Sequence, residues 1–266
     1  MSAELYYFSG TGNTLYIAKS IASKLADAKL IPINKLDVNI NISSKAEVVG
    51  IIYPTYFVDA PDVIHKFLNK FKPLKTSYVF LYTNYGETMG NALYYPYMRL
   101  KAHGIDVDAC FHVQLPDNSI IFPTKRELQG KMIEESKIKI EKDALSISVR
   151  DITPSPSKSI LYSLVMPPMK IISKSILGMN KIVIEKDKCI NCGICAKVCS
   201  ADNIKESSDF PLVSNKCNMC FACINYCPKK AIKFKKMKPK YEDYQYVNPD
   251  ISIEEIKVTR KQRVDC

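Results

Sequence analysis

The sequence predicts two folded units in one chain of 266 residues: a five-stranded, doubly wound parallel α/β sheet, then a small cysteine-rich α+β unit. Three observations carry that reading. Apolar, β-rich runs alternate with helical patterns between residues 4 and 145. A loop rich in glycine and hydroxyls follows the first of those runs at once. Eight of the ten cysteines lie between residues 189 and 227, in two copies of C-x2-C-x2-C-x3-C.

Residues 4–8 (ELYYF) read as a short buried strand and residues 15–25 as a helix. Further strands are expected near 29–33 and at 48–53, 78–84 and 107–115, with helices at 62–70, 89–103 and 125–145. Ligands of such sheets bind beyond the carboxyl ends of the strands, at the switch point. Three loops reach that edge: residues 9–14, then Pro54-Thr55-Tyr56-Phe57-Val58, then Asn84-Tyr85-Gly86-Glu87.

The first loop, Ser9-Gly10-Thr11-Gly12-Asn13-Thr14, has the chemistry of an anion site. Hydroxyls of Ser9, Thr11 and Thr14 can donate hydrogen bonds, Gly10 and Gly12 let the backbone approach, and the helix start aims amides at a phosphate. No lysine stands in the loop and G-x4-G-K-[ST] is absent, which argues against nucleoside triphosphate hydrolysis. Leu15 occupies the third glycine position of the dinucleotide fingerprint. A phosphate held by hydroxyls and amides without a cation suits FMN. Tyr56 and Tyr85 are the first choices to stack on an isoalloxazine, and Phe57 the third. With 16 tyrosines in the chain, a packing role is the alternative for each.

The first cysteine run is Cys189, Cys192, Cys195 and Cys199; the second is Cys217, Cys220, Cys223 and Cys227. This spacing holds [4Fe–4S] cubanes, and the fourth cysteine of each run ligates the other cluster. Cluster one would take Cys189, Cys192, Cys195 and Cys227, and cluster two Cys217, Cys220, Cys223 and Cys199. Zinc sites prefer two C-x2–4-C pairs or a Cys/His mixture, and no histidine lies near. Disulfides suit a secreted chain, whereas residues 1–8 run straight into a strand rather than a cleavable leader. The second run continues into Pro228, but the first continues into Ser200 where the pattern expects proline.

Residues 8–14 (FSGTGNT) resemble the FMN phosphate loop of flavodoxins. Tyr53-Pro54-Thr55-Tyr56 and Thr83-Asn84-Tyr85-Gly86 resemble the two flavin-flanking loops. With the doubled cysteine run, the order resembles the flavodoxin–ferredoxin fusion proteins (ferrodoxins) of anaerobic bacteria and archaea, over residues 4–118 and 186–234. The resemblance implies a flavodoxin-like sheet, FMN, two [4Fe–4S] clusters and electron transfer in anaerobic metabolism. Leu115-Pro116-Asp117-Asn118 is similar to a Pro-x-Asn segment of these fusions, and makes Asn118 a candidate contact at the flavin or the interdomain side.

These signals divide the chain into residues 1–150, an arm at 151–180 opening with the Pro/Ser-rich DITPSPSKS, a cluster unit at 181–236, and a basic, polar tail at 237–266. The most apolar stretch, 160–179, is broken by Pro167-Pro168, Lys170 and Lys174. It fails as a membrane span and reads as a packed linker helix or interdomain arm, with peripheral membrane contact the minor alternative. Residues 1–150 hold 18 Lys+Arg against 15 Asp+Glu, and residues 151–266 hold 20 against 12, giving +3 and +8. Two cubanes at about −2 each and a flavin phosphate would remove most of that excess. The surface then suits acidic redox partner proteins rather than nucleic acid. The expected compartment is the cytoplasm, where thiolates stay reduced, and a homodimer is left open. Cys110 reads as a small buried hydrophobe and Cys266 as idle, and His65, His103 and His112 show no metal or triad spacing. An electron carrier is favoured over a stand-alone enzyme. The alternatives are a flavin-centred reductase fed by the clusters, or a wiring subunit docked through its basic tail.

Overall fold

The computed structural model describes residues 2–238 and 243–258; Cys266 and the end of the tail lie outside the described residues. Strands β1 (Ser2–Tyr7), β2 (Asp27–Pro32), β3 (Val48–Pro54), β4 (Tyr78–Tyr85) and β5 (Ala109–Gln114) form one parallel sheet in the order 2-1-3-4-5. That order defines the flavodoxin-like doubly wound fold, whose switch point lies between β1 and β3. Right-handed crossovers place helices α1 (Asn13–Ala22) and α4 (Arg126–Ser148) on one face, and α2 (Asp62–Leu68) and α3 (Tyr94–Ala102) on the other. Covered on both sides, β3 is buried at every position, which is why VVGIIYP reads as a continuous apolar run rather than an alternating one.

Helix α3 starts five residues later than the pattern at 89–103 suggests. Pro96 has no N–H to give and is tolerated only in a first turn, so Tyr94 is where the helix can begin. On the opposite face, buried Asp143 of α4 accepts from the Tyr82 hydroxyl (2.7 Å) and from Lys139 Nζ (2.9 Å), which satisfies its charge.

The Pro/Ser segment after α4 is strapped along the sheet edge rather than loose. Cys110 N donates to Thr153 Oγ1 (2.7 Å) and Thr153 N to Asp108 O (3.1 Å), capping part of the open side of β5. Cys110 itself is half-buried, not buried as expected, because it lies on this edge strand. The chain then runs into α5 (Ile160–Ile171), prolonged by a wider turn at Ile172–Ile176.

The cluster unit is built on an antiparallel ribbon, β6 (Ile182–Ile184) against β9 (Ile232–Phe234), with Ile184 opposite Ile232. Between these strands lie α6 (Ile194–Lys197), the short pair β7 (Ile204–Lys205) and β8 (Leu212–Val213), and α7 (Ala222–Asn225). Backbone conformation repeats with the sequence. Non-glycine and glycine residues with positive φ recur in pairs 28 residues apart: Asn191 and Met219, Gly193 and Phe221, Asp202 and Lys230.

The basic, polar tail is partly solvated and partly packed. Lys235, Lys236 and Lys238 are exposed, but the chain then returns to the first domain. There Tyr246, Asn248, Ile251 and Ile256 are buried, the last within α8 (Ile253–Val258), and Ile251 and Ile256 belong to the same apolar core as β1 and α1. Lys19 of α1 pairs with Glu255, and that contact with the Ser252 amide holds the Glu255 carboxyl down at about 2. Replacing Ile251 with Ala removes a buried side chain at the seam. It should cost about 2–5 kcal/mol in denaturant unfolding, while leaving iron content unchanged.

Candidate functional site

Strand register delivers all the candidate loops to one place. Phe8 N donates to Ile52 O (3.0 Å), Thr55 N to Asn84 O (2.7 Å) and Leu115 N to Tyr85 O (3.0 Å), so each chain leaves the sheet at the same edge. Ser9, Gly10, Thr11, Asn13, Thr14, Pro54, Thr55, Asn84, Tyr85 and Gly86 line one small polar cleft there, with Asp117 and Asn118 across it.

Within that cleft the polar groups divide into ligand-facing and bracing sets. Thr14 Oγ1 donates to Asn84 Oδ1 (2.8 Å), and Thr83 Oγ1 donates to Tyr53 O (3.1 Å) and accepts from Thr55 Oγ1 (3.0 Å), so these hydroxyls tie loops together. The Asn13 side chain is also spoken for: it donates to Pro116 O (3.0 Å) and accepts from Tyr246 Oη (2.8 Å) and Asn248 Nδ2 (3.1 Å). Gly12 adopts φ +104°, closed to other residues, and packs against Asn248 and Ile251 rather than lining the cleft. Left to face an anion are the Thr11 hydroxyl, the amides at the start of α1 and the proton of the Ser9 hydroxyl, whose oxygen accepts from Gly12 N (3.2 Å).

A larger cleft of about 240 Å³ adjoins it, lined by Tyr56, Phe57, Asp117, Met166, Met219 and Phe221 among others. Here the second loop, the arm α5 and the second cysteine run meet. Phe57 and Val58 both hold φ near +52°, a strained pair that turns Phe57 away from its own sheet onto the core of the cluster unit. Among the described residues no well-formed hydrogen bond reaches the buried Tyr56 hydroxyl, although the Asn118 side chain lies beside it. Burial, and then the Cys220 sulfur, push its phenol well above the usual range. Tyr85 stays near the small cleft and packs on His112 with ring centroids 5.8 Å apart. Burial likewise raises the Asp117 carboxyl, which lies under Gly86 and lines both clefts.

The cysteines separate into two groups by position, not by run. Cys189, Cys192, Cys195 and Cys227 line one cavity, beside Ile184 and Ile232. Cys217 lies within electrostatic reach of Cys220 and Cys199, and Cys223 of Cys220, Cys199 and Cys217. Burial pushes Cys195 up to about 11 and Cys217 to about 12, so an iron-free protein would keep these thiols protonated and release protons on loading. Amides already point at the sulfurs: Asn203 N to Cys199 (3.1 Å), Ala231 N to Cys227 (3.3 Å) and Met219 N to Cys217 (3.3 Å). The first two are again 28 residues apart. This donor set fits iron–sulfur clusters, and the polar cleft with its glycine approach fits a flavin phosphate.

The two sites touch. A Cβ built on Gly10 would lie 3.0 Å from the Cys220 carbonyl oxygen and 3.1 Å from the Tyr56 hydroxyl. Asn225 Nδ2 donates to Asn118 O (3.2 Å) across the same seam. The second run, residues 219–225, is buried here, whereas Ile190 and Cys192 of the first run are exposed. Sequence reading missed Asp117, Met166, Met219 and Phe221 as cleft residues, and Tyr246 and Asn248 as supports; only Asp117, beside Asn118, left any local signal.

A 4Fe-4S dicluster domain is matched over residues 181–238. The same part is 39% identical over 55 residues to a ferredoxin of Pyrobaculum islandicum, covering 20% of this chain and 51% of that protein. The chain thus spans about half the length of that relative. It is 32% identical over 68 residues to an uncharacterized ferredoxin of Methanocaldococcus jannaschii, covering 24% of this chain and 88% of that one. Among solved structures, the N-terminal part is similar to a flavodoxin of Streptococcus pneumoniae (18% identity, 56% of this chain and 99% of that one, TM-score 0.40). It is also similar to the flavodoxin of Megasphaera elsdenii (23%, 52% and 98%, TM-score 0.34). The flavodoxin-like fold is established by the strand order itself. The chain belongs to the ferredoxins through its C-terminal 4Fe-4S dicluster unit, which is fused behind a domain of flavodoxin-like fold. The dicluster unit and the flavodoxin-like fold together support an electron-transfer role.

Because Gly10 abuts the backbone carbonyl of Cys220 as well as the Tyr56 hydroxyl, Gly10→Ala must push back the cluster-side chain and not only a side chain. We expect flavin affinity to fall at least about tenfold, by fluorescence titration, with iron and sulfide content unchanged.

Proposed function

We propose that this protein relays electrons between two [4Fe–4S] clusters and a bound FMN, coupling one- and two-electron steps in anaerobic metabolism. Cubanes exchange single electrons and a flavin one or two, which is the chemistry such groups supply when bound. The observation that carries the reading is the close approach of Cys220 and Tyr56 to Gly10, where they would lie 3.0 and 3.1 Å from an added Cβ. Cys189, Cys192, Cys195 and Cys227 would hold the outer cluster, and Cys217, Cys220, Cys223 and Cys199 the inner one. Ser9, Gly10, Thr11 and the α1 amides would hold the flavin phosphate, with Tyr85 and Gly86 on one side of the ring site and Tyr56 and Phe57 on the other. Exposure of Cys192 supports exchange with a partner protein at the outer cluster, while the inner one faces the flavin loops.

A second reading, a flavin-centred reductase, is favoured by one feature. The cleft of about 240 Å³ beside Tyr56, lined by methionines and phenylalanines, has room for a small apolar acceptor. Turnover of such acceptors without any partner protein would support it.

Anaerobic purification with flavin, iron and sulfide analysis tests the relay. The expected composition is one FMN and about eight irons with matching sulfide per chain. Zinc without acid-labile sulfide would refute it. In the Cys227→Ala variant, the cluster expected to fail is the one wrapped by Cys189–Cys195, although Cys227 belongs to the other run; loss of the inner cluster instead would contradict the crossed ligation.

Ser200, the departure from the expected proline, places its hydroxyl 3.4 Å from Cys220 Sγ. Towards a ligating thiolate only the hydroxyl can donate, and such a bond stabilises the more negative, reduced cluster. Ser200→Ala should lower the potential of the inner cluster alone by tens of millivolts in an EPR-monitored titration.

A further inference from the structure

Helix α5 carries its amphipathic pattern inside out. Ser163, Met166, Lys170 and Ser173 turn toward the protein. Ser163 Oγ accepts from Tyr95 Oη (2.9 Å) and Asn91 Nδ2 (3.1 Å), and Lys170 and Lys174 both pair with Asp62. The opposite side presents Ile160, Leu161, Leu164, Val165, Ile171 and Ile176 to solvent, each between 44% and 71% exposed, and no residue of α5 is buried. Soluble helices put the apolar stripe on the core; a continuous exposed one marks an interaction surface.

Charge says what covers it. Between Asp151 and Glu185 there is no acidic residue, while there are four lysines. Two of these hold the helix through Asp62, and the exposed Lys158 and Lys181 bracket the stripe. Lys235, packed beside Gly178, adds a third exposed cation at its C-terminal end. A second copy of this chain would bring like charges face to face. Protein interfaces centre on aromatic side chains and arginine, whereas this stripe is aliphatic and its one tyrosine, Tyr162, turns inward. No helix among the described residues is long and apolar enough to cross a membrane.

We propose that α5 lies in the plane of an anionic lipid surface, its aliphatic stripe among the acyl chains and Lys158, Lys181 and Lys235 against the headgroups. The docked face is the back of the helix whose inner side, through Met166, lines the larger cleft. Membrane docking therefore sets the candidate flavin site beside the lipid.

The test is vesicle flotation of the full-length protein with its cofactors. Phosphatidylcholine vesicles containing about 30% phosphatidylglycerol should carry the protein, phosphatidylcholine alone at least about tenfold less, and raised salt should release it. The Leu164→Glu/Ile171→Glu variant alters only exposed positions, so iron content and circular dichroism should stay at wild-type values while binding falls at least about tenfold. Three results would each overturn the proposal: no preference for anionic vesicles, equal flotation of the glutamate variant, or a dimer that this variant dissociates without any vesicle binding.

Discussion

The Cys220 carbonyl and the Tyr56 hydroxyl crowd the side of Gly10 where any other residue would carry its Cβ, and the rest of the molecule is arranged so that this approach can exist. A parallel sheet in the order 2-1-3-4-5 brings its first three βα loops to one edge, where a ligand can sit. The strained φ values of Phe57 and Val58 turn the second loop outward onto the cluster unit. Residues 219–225 are buried against that edge, so this part of the second run lies against the candidate flavin loops, while Ile190 and Cys192 of the first run face solvent. Close approach matters for electron transfer, and a glycine at position 10 is what permits it.

The cluster unit reaches its shape by repetition. Left-handed backbone recurs 28 residues apart at three pairs of positions, as do the amides that donate to Cys199 and Cys227. Wrapping a loop around a cluster needs turns that ordinary residues disfavour, so strain of this kind is expected where a bound group overdetermines the backbone. The break in the repeat is informative. Where one copy has Pro228, the other has Ser200, whose hydroxyl meets a cysteine of the inner group. The two copies therefore share a scaffold but not the polar surroundings that set a potential.

Two segments that look like connectors do structural work. The tail passes under α1 and supplies Tyr246 and Asn248 to the Asn13 side chain and Asn248 N to Thr11 O. It therefore holds the loop at residues 9–14 from behind. The arm is anchored by polar groups, Ser163 to Tyr95 and Lys170 to Asp62, and so keeps its aliphatic stripe for an external apolar phase. Both arrangements make the candidate flavin site dependent on residues more than a hundred positions away.

Much of this was legible in the residues. Strand and helix positions up to residue 148, the loops at the sheet edge, the doubled cysteine run and its internal repeat follow from local periodicity and spacing, because short-range patterns encode them. Less legible were the late start of α3, set by Pro96, and the half-buried state of Cys110, set by its place at a sheet edge. The return of residues 246–256 to the core and the outward turn of α5 left no local mark, since the buried Ile251 sits in a polar stretch and the exposed Leu164 in the most apolar one. By itself the sequence determined the chemistry: thiols spaced for iron–sulfur clusters and a hydroxyl-and-glycine loop for an anion. Only the tertiary structure decided which cysteine run faces that loop, which face of α5 meets solvent and what braces Asn13. Those outcomes depend on long-range packing between segments whose own sequences are compatible with several arrangements.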